Sequence, residues 1–251
     1  MAFASAALSR RKFVRGSLAL AALPAGAAVL AACGSDDGSE APVAKPVSEN
    51  VKGLTPDQAL EKLKEGNKRF VALQNEDINE SRERRISVFD GQSPFAAIIG
   101  CVDSRVPPEL VFDRGLGDLF VARVAAAIAD DSVVGSIEFG VSEFGIPLVV
   151  AMGHAKCGAV AATIEAVENN QSTAPGQILS VVKPIIPAVQ DAMAAGVSEE
   201  ELLGESIRLS VERTVAALNQ SEVLSALVAE NKVKVVGAVY SLATGEVTFF
   251  E

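Results

Sequence analysis

The sequence is poor in side chains that do metal and proton chemistry near neutral pH: 251 residues include one histidine and three cysteines. Any soft-metal or imidazole chemistry must therefore converge on very few positions. Positive charge is also short, with 22 lysines and arginines against 32 aspartates and glutamates. A nucleic-acid partner needs a basic stripe to neutralise phosphates, and the sequence has none. It has no internal repeat, which argues against a solenoid. An unbroken apolar run of about 20 residues, enough to span a membrane, is missing too. The nearest candidate, residues 18–32, is interrupted by Pro24 and Gly26.

Residues 1–32 contain no acid, and Arg10, Arg11, Lys12 and Arg15 precede the apolar stretch, the layout of an export signal. Ser9-Arg10-Arg11-Lys12-Phe13-Val14 resembles the twin-arginine signal, which addresses proteins that fold before export. Leu30-Ala31-Ala32-Cys33 resembles a bacterial lipobox, in which the cysteine is lipidated and becomes the first mature residue; a plain cleaved signal is the alternative. The polar, Pro-containing stretch that follows has the composition of a flexible tether. The expected organisation is a signal peptide at 1–32, a tether at 33–53 and one globular domain at 54–251. Loss of the signal moves the formal charge from -10 to -14. The expected location is exported, periplasmic or at the cell surface, with a membrane met only through the lipid on Cys33.

Thr55-Pro56-Asp57 predicts a helix start, with Thr55 as N-cap and Pro56 at the first helical position; Leu60, Leu63, Phe70 and Leu73 continue the pattern. Residues 75–85 are charged and irregular and read as a surface connection. Short apolar runs at 95–100, 119–124, 147–152 and 233–240 read as buried strands, with helical stretches near 131–144, 158–169 and 205–218. This alternation predicts an α/β fold: a mainly parallel β sheet flanked by helices, preceded by an N-terminal helical arm. Residues 242–246 read as a turn that returns the chain as a C-terminal edge strand, 247–250.

With Cys33 assigned to lipid, the soft side chains of the domain are Cys101, in Cys101-Val102-Asp103-Ser104-Arg105, and His154 and Cys157, in Gly153-His154-Ala155-Lys156-Cys157-Gly158. Both clusters stand just past an apolar strand, at the carboxyl edge where parallel sheets form ligand crevices. Two thiolates and one imidazole hold zinc at three points and leave the fourth tetrahedral position to water or a carboxylate, the stoichiometry of a catalytic site. Two other readings fit the same residues: buried small apolar cysteines, or a disulfide formed in an oxidising compartment. Folding before export favours zinc, because the thiolates then meet metal in a reducing cytosol first.

These residues resemble the beta class of carbonic anhydrases, whose pattern is Cys-x-Asp-x-Arg followed further along by His-x-x-Cys-Gly. The likeness runs from Gly66-Asn67-Lys68-Arg69-Phe70 through Gly115-Leu116-Gly117-Asp118-Leu119-Phe120 to Gly237-Ala238-Val239-Tyr240. It implies reversible hydration of carbon dioxide to bicarbonate, with one zinc ion per subunit on Cys101, His154 and Cys157. It also implies a dyad of Asp103 and Arg105. Asp103 then either takes the fourth zinc position or orients the reacting water, and Arg105 holds it by a bidentate fork. A solvated salt bridge is the plainer reading of such a pair. Gln92 matches a position whose amide lies near the substrate, and the helix opened by Gly158 offers backbone N–H groups to thiolate and anion. Family assembly implies a homodimer or homotetramer, with the site near a subunit boundary.

The sequence departs from the family in one loop. Where the family it resembles usually has Arg-x-Ala-Gly-Asn or a close variant, this chain has Arg123-Val124-Ala125-Ala126-Ala127. A positive φ at the glycine position would strain Ala126. The departure keeps two further readings in play: a non-catalytic zinc- or bicarbonate-binding lipoprotein, and a hydrolase of carbonyl sulfide or carbon disulfide.

Overall fold

The computed structural model describes residues 53–169 and 176–250. The expected signal, Cys33 and nearly all of the tether lie outside the described residues. Helix α1 (Pro56–Val71) begins with a closed capping box: Thr55 Oγ1 accepts from the Gln58 N–H, and the Gln58 side chain accepts from the Thr55 N–H. The chain then forms α2 (Arg82–Ser87), β1 (Ala96–Gly100), α3 (Pro108–Val111), β2 (Leu119–Arg123) and a 3-10 turn (Ala125–Ala127). There follow α4 (Asp131–Phe144), β3 (Leu148–His154), α5 (Gly158–Glu168), α6 (Ile178–Ala194), α7 (Glu199–Gln220), α8 (Glu222–Ala229), β4 (Lys234–Tyr240) and β5 (Val247–Phe250).

The sheet order is β2-β1-β3-β4-β5. The first four strands are parallel, and β5 closes the edge antiparallel to β4. All residues of β1 and β3 are buried, which is why their sequences are continuous apolar runs without alternation. Side chains still alternate between the two faces. Ile98, Val150 and Met152 pack with Ala59, Leu60 and Leu63 of α1 and Val111 of α3. Ile99 and Val149 pack with Val133, Ile137 and Val141 of α4 and Leu224 of α8. The result is the helix-covered parallel sheet that the alternation predicted. Among the described residues, no helix is long and apolar enough to cross a membrane.

The structure corrects the reading of residues 75–85 as wholly irregular. Ser81 caps α2 from Arg82 onward. This helix buries no residue and is anchored by polar contacts, Arg84 Nε to the Leu116 carbonyl at 2.8 Å and Arg84 Nη2 to Asp118 at 3.2 Å, so it shows no apolar periodicity. The helix expected at 205–218 is longer, because Ser198 and Glu201 form a capping box that starts it at Glu199. Helix α6 carries Pro184 and Pro187 inside it, residues that argue against a helix when read locally.

Candidate metal centre

The path of the chain creates the site. From β1 the next strand, β2, is laid on one side, and β3 is then laid on the other, so the sheet reverses its direction of growth between β1 and β3. Connections leaving the carboxyl ends diverge at such a point and open a crevice. Cys101 is the first residue after β1, His154 is the last residue of β3, and Cys157 is the N-cap of α5. Lys156 adopts a left-handed conformation (φ 56°) in the short connection between His154 and Cys157. The Ala155 N–H is tied to the Tyr240 carbonyl of β4 at 2.8 Å.

The ligand atoms of Cys101, His154 and Cys157 lie within 4.8 Å of one another, and all three residues are buried. The cysteines are free thiols rather than a disulfide. His154 Nδ1 stands 3.0 Å from the Ala155 carbonyl. A carbonyl only accepts, so Nδ1 carries a hydrogen, and the ring in its neutral form presents its lone pair at Nε2. That Nε2 is fully buried and has no hydrogen-bond partner. An orphaned buried acceptor facing two sulfurs fits a soft metal ion such as zinc, whose ligands are S and N donors.

The electrostatics agree. Cys101 is pushed down to about 4, first by a hydrogen bond from Cys157, against the effect of burial, with help from His154 and the N–H groups of Asp103 and Ala126. Cys157 is pushed up, first by the hydrogen bond it gives Cys101 and then by burial, while the N–H groups of Val160 and Ala159 oppose the rise. Those two amides belong to the first turn of α5, the helix opened by Gly158. Burial works against a charged His154, but the Cys101 sulfur, the Ala155 carbonyl and Asp103 together raise the imidazole.

Asp103 sits beside the triangle, its Oδ2 4.0 Å from His154 Nε2. Arg105 takes both carboxylate oxygens, Nε to Oδ1 at 2.9 Å and Nη2 to Oδ2 at 2.7 Å, and its backbone N–H adds a third bond to Oδ1 at 2.9 Å. This fork holds the Asp103 carboxyl well below the usual carboxylate range. To enter a metal's coordination sphere, the engaged oxygens would have to loosen the fork.

Three further features surround the site, of which only the strain at Ala126 was legible in the sequence. Arg123, at the end of β2, donates from Nε to the Cys101 carbonyl at 2.8 Å and from Nη2 to the Asp103 carbonyl at 2.7 Å. Ala126 has φ 57°, and its N–H points at Cys101 Sγ at 3.3 Å. Val160, Ile185, Val189 and Ile207, from α5, α6 and α7, form an apolar wall against the two cysteines. The available signal for Arg123 was its place: an exposed arginine at the carboxyl end of a parallel strand. Gln92 lines a recess with Phe89, Asp90, Leu116 and Gly117. Cys33 lies outside the described residues.

Residues 96–247 match the family model described as carbonic anhydrase. The chain is 40% identical over 192 residues to carbonic anhydrase 2 of Mycobacterium tuberculosis, covering 76% of this chain and 90% of that protein. It is 39% identical over 193 residues to the carbonic anhydrase of Mycolicibacterium smegmatis, covering 76% of this chain and 92% of that one. Among solved structures it resembles a beta-carbonic anhydrase of Aspergillus fumigatus, with a TM-score of 0.61 and 28% identity over 78% of this chain and 90% of that chain.

Proposed function

The chain belongs to the beta-class carbonic anhydrase family and catalyses the reversible hydration of carbon dioxide to bicarbonate, and from that premise we propose how its residues divide the work. Cys101, His154 and Cys157 hold one zinc ion per subunit. When bound, the ion acts as a Lewis acid that makes water a competent nucleophile at carbon dioxide. Asp103 accepts a hydrogen bond from the reacting water and orients it. Arg105 keeps Asp103 ionised and, by engaging both carboxylate oxygens, holds it back from the metal. The apolar wall of Val160, Ile185, Val189 and Ile207 suits an uncharged substrate and limits competing water.

The observation that carries this reading is the buried, unpartnered Nε2 of His154 facing two cysteine sulfurs. Metal analysis and stopped-flow hydration on one purified sample test it. Cys101→Ala and His154→Ala should each lose zinc and hydration together, and the metal-free protein should be less stable. Stoichiometric zinc in both variants would refute the ligand set; zinc-loaded wild type with no rate above buffer would refute the activity.

Residues 1–32 direct export of the folded protein, and a lipid on Cys33 anchors it, supported by the arginine pair before a broken apolar stretch and by the lipobox-like sequence. Subunits assemble as a homodimer or homotetramer. Support comes from Phe89 and Phe139, 84% and 59% exposed, since large apolar side chains left in water mark contact surfaces. Gln92 shares its recess with Phe89, which suits an approach to substrate across a subunit boundary. Fractionation and sizing of two variants check this. Arg10 and Arg11→Lys should strand the protein in the cytosol, and Cys33→Ala should release from the membrane a protein that elutes as a dimer or tetramer. Unchanged membrane association would remove the anchor, and a monomer would remove the assembly.

A further inference from the structure

We infer that Arg123 is a positioning residue for this reaction, setting the loop of Cys101 and Asp103 by gripping two of its main-chain carbonyls with one guanidinium. The inference rests on the proposed function and adds a residue to it. Arg123 closes β2, paired in register with Gly100 at the end of β1, and the Val124 N–H bonds the Gly100 carbonyl at 3.0 Å. Its backbone is thus fixed by the sheet beside the point where the metal loop departs. From there Nε reaches the Cys101 carbonyl at 2.8 Å and Nη2 the Asp103 carbonyl at 2.7 Å.

Bonds to the carbonyls of residues 101 and 103 fix two peptide planes, and with them the directions of the intervening side chains. Cys101 is turned into the protein and is 4% exposed, whereas Val102 is turned out and is 56% exposed. Asp103 follows, with its Oδ2 4.0 Å from His154 Nε2. The same carbonyl of Asp103 also accepts the Val106 N–H at 3.0 Å, closing the turn that carries Arg105 back to the carboxylate. Asp103 is therefore held twice, its carboxylate by Arg105 and its backbone by Arg123. Cys101 is also held twice by one short segment of chain, its carbonyl by Arg123 and its sulfur by the Ala126 N–H at 3.3 Å.

This arrangement needs a planar fork and not simply a positive charge. A lysine is a point charge on a flexible stem and cannot bridge two carbonyls with the same rigidity. Groups that orient metal ligands from behind are typically worth 10- to 100-fold in affinity or activity.

The test uses the full chain with Arg123→Ala and Arg123→Lys, loaded with zinc for kinetics and with cobalt for absorption. In both variants kcat should fall by about 10- to 100-fold with KM for carbon dioxide little changed, and the thiolate-to-cobalt bands should shift, because Cys101 has lost its fixed direction. Low added guanidinium should restore part of the rate to the Ala variant, since the side chain it replaces is exposed. A Lys variant with the wild-type rate and cobalt spectrum would overturn the inference, showing that charge alone suffices. Should the Ala variant fail to fold, the Lys variant decides. Failure of the zinc-loaded wild type to hydrate carbon dioxide would instead strike the underlying reading.

Discussion

Ala126 stands at the position expected from the resemblance to be glycine, and the structure gives it φ 57°, with its neighbour Ala127 at φ 54°. A left-handed conformation brings Cβ close to backbone oxygen and costs roughly 1–2 kcal/mol per residue for an L side chain. The loop accepts the strain because other contacts determine it. The Ala126 N–H bonds the Cys101 sulfur, and the Ala127 carbonyl accepts the buried Thr214 hydroxyl of α7 at 3.1 Å. Ala126→Gly should therefore stabilise the zinc-loaded protein by about 1 kcal/mol, partly offset by the freer unfolded chain, as read from denaturant midpoints. A lower midpoint would show that the loop relaxes in solution. The strain at Ala126 was legible because the motif marks a glycine there. The strain at Ala127 was not, because alanine carries no mark of left-handed backbone.

At the scale of elements, β3 and α7 pack tightly at Gly153, the residue before His154. A Cβ built there would stand 2.6 Å from Val211 Cγ2 and 3.2 Å from Ile207 Cγ2, both on α7. Ile207 also belongs to the apolar wall on the cysteines, so the contact that packs the helix shapes the site. Gly153→Ala should destabilise by about 1–3 kcal/mol through overpacking and weaken zinc retention. Adding Val211→Ala should recover part of the stability in a double-mutant comparison. Two independent, additive losses would deny the contact.

The central strands were readable because burial on both faces leaves unbroken apolar runs. Helices α2 and α6 escaped for opposite reasons, α2 having no apolar face to read and α6 having prolines at 184 and 187 that tertiary packing overrides. The metal triad was visible as three scarce side chains near two strand ends and as the motif pair that contains them. Which strands are neighbours, and hence that the ends meet, comes from the order β2-β1-β3. The grip of Arg123 on carbonyls leaves no trace in residue spacing at all.

Over the whole molecule, the supply of proton-transfer groups is the feature expected to limit turnover. Hydration releases a proton at each turnover, and the only imidazole in the chain, His154, is buried, with Nδ1 committed to a carbonyl and Nε2 to the cysteine cluster. No second histidine stands at the mouth to pass protons to solvent near neutral pH. Two thiolates also cancel the formal charge of a bound zinc ion and so acidify water less than three histidines do, where the water pKa falls to about 7. Turnover at saturating carbon dioxide should therefore climb toward alkaline pH and scale with buffer concentration, and added imidazole should partly replace the missing relay. Initial rates across a buffer series from about pH 6.5 to 9 measure this, and a flat, buffer-independent profile would contradict it. The catalyst is thus completed by its surroundings: the small bases dissolved around it act as its diffusible proton acceptors, and their supply sets its ceiling.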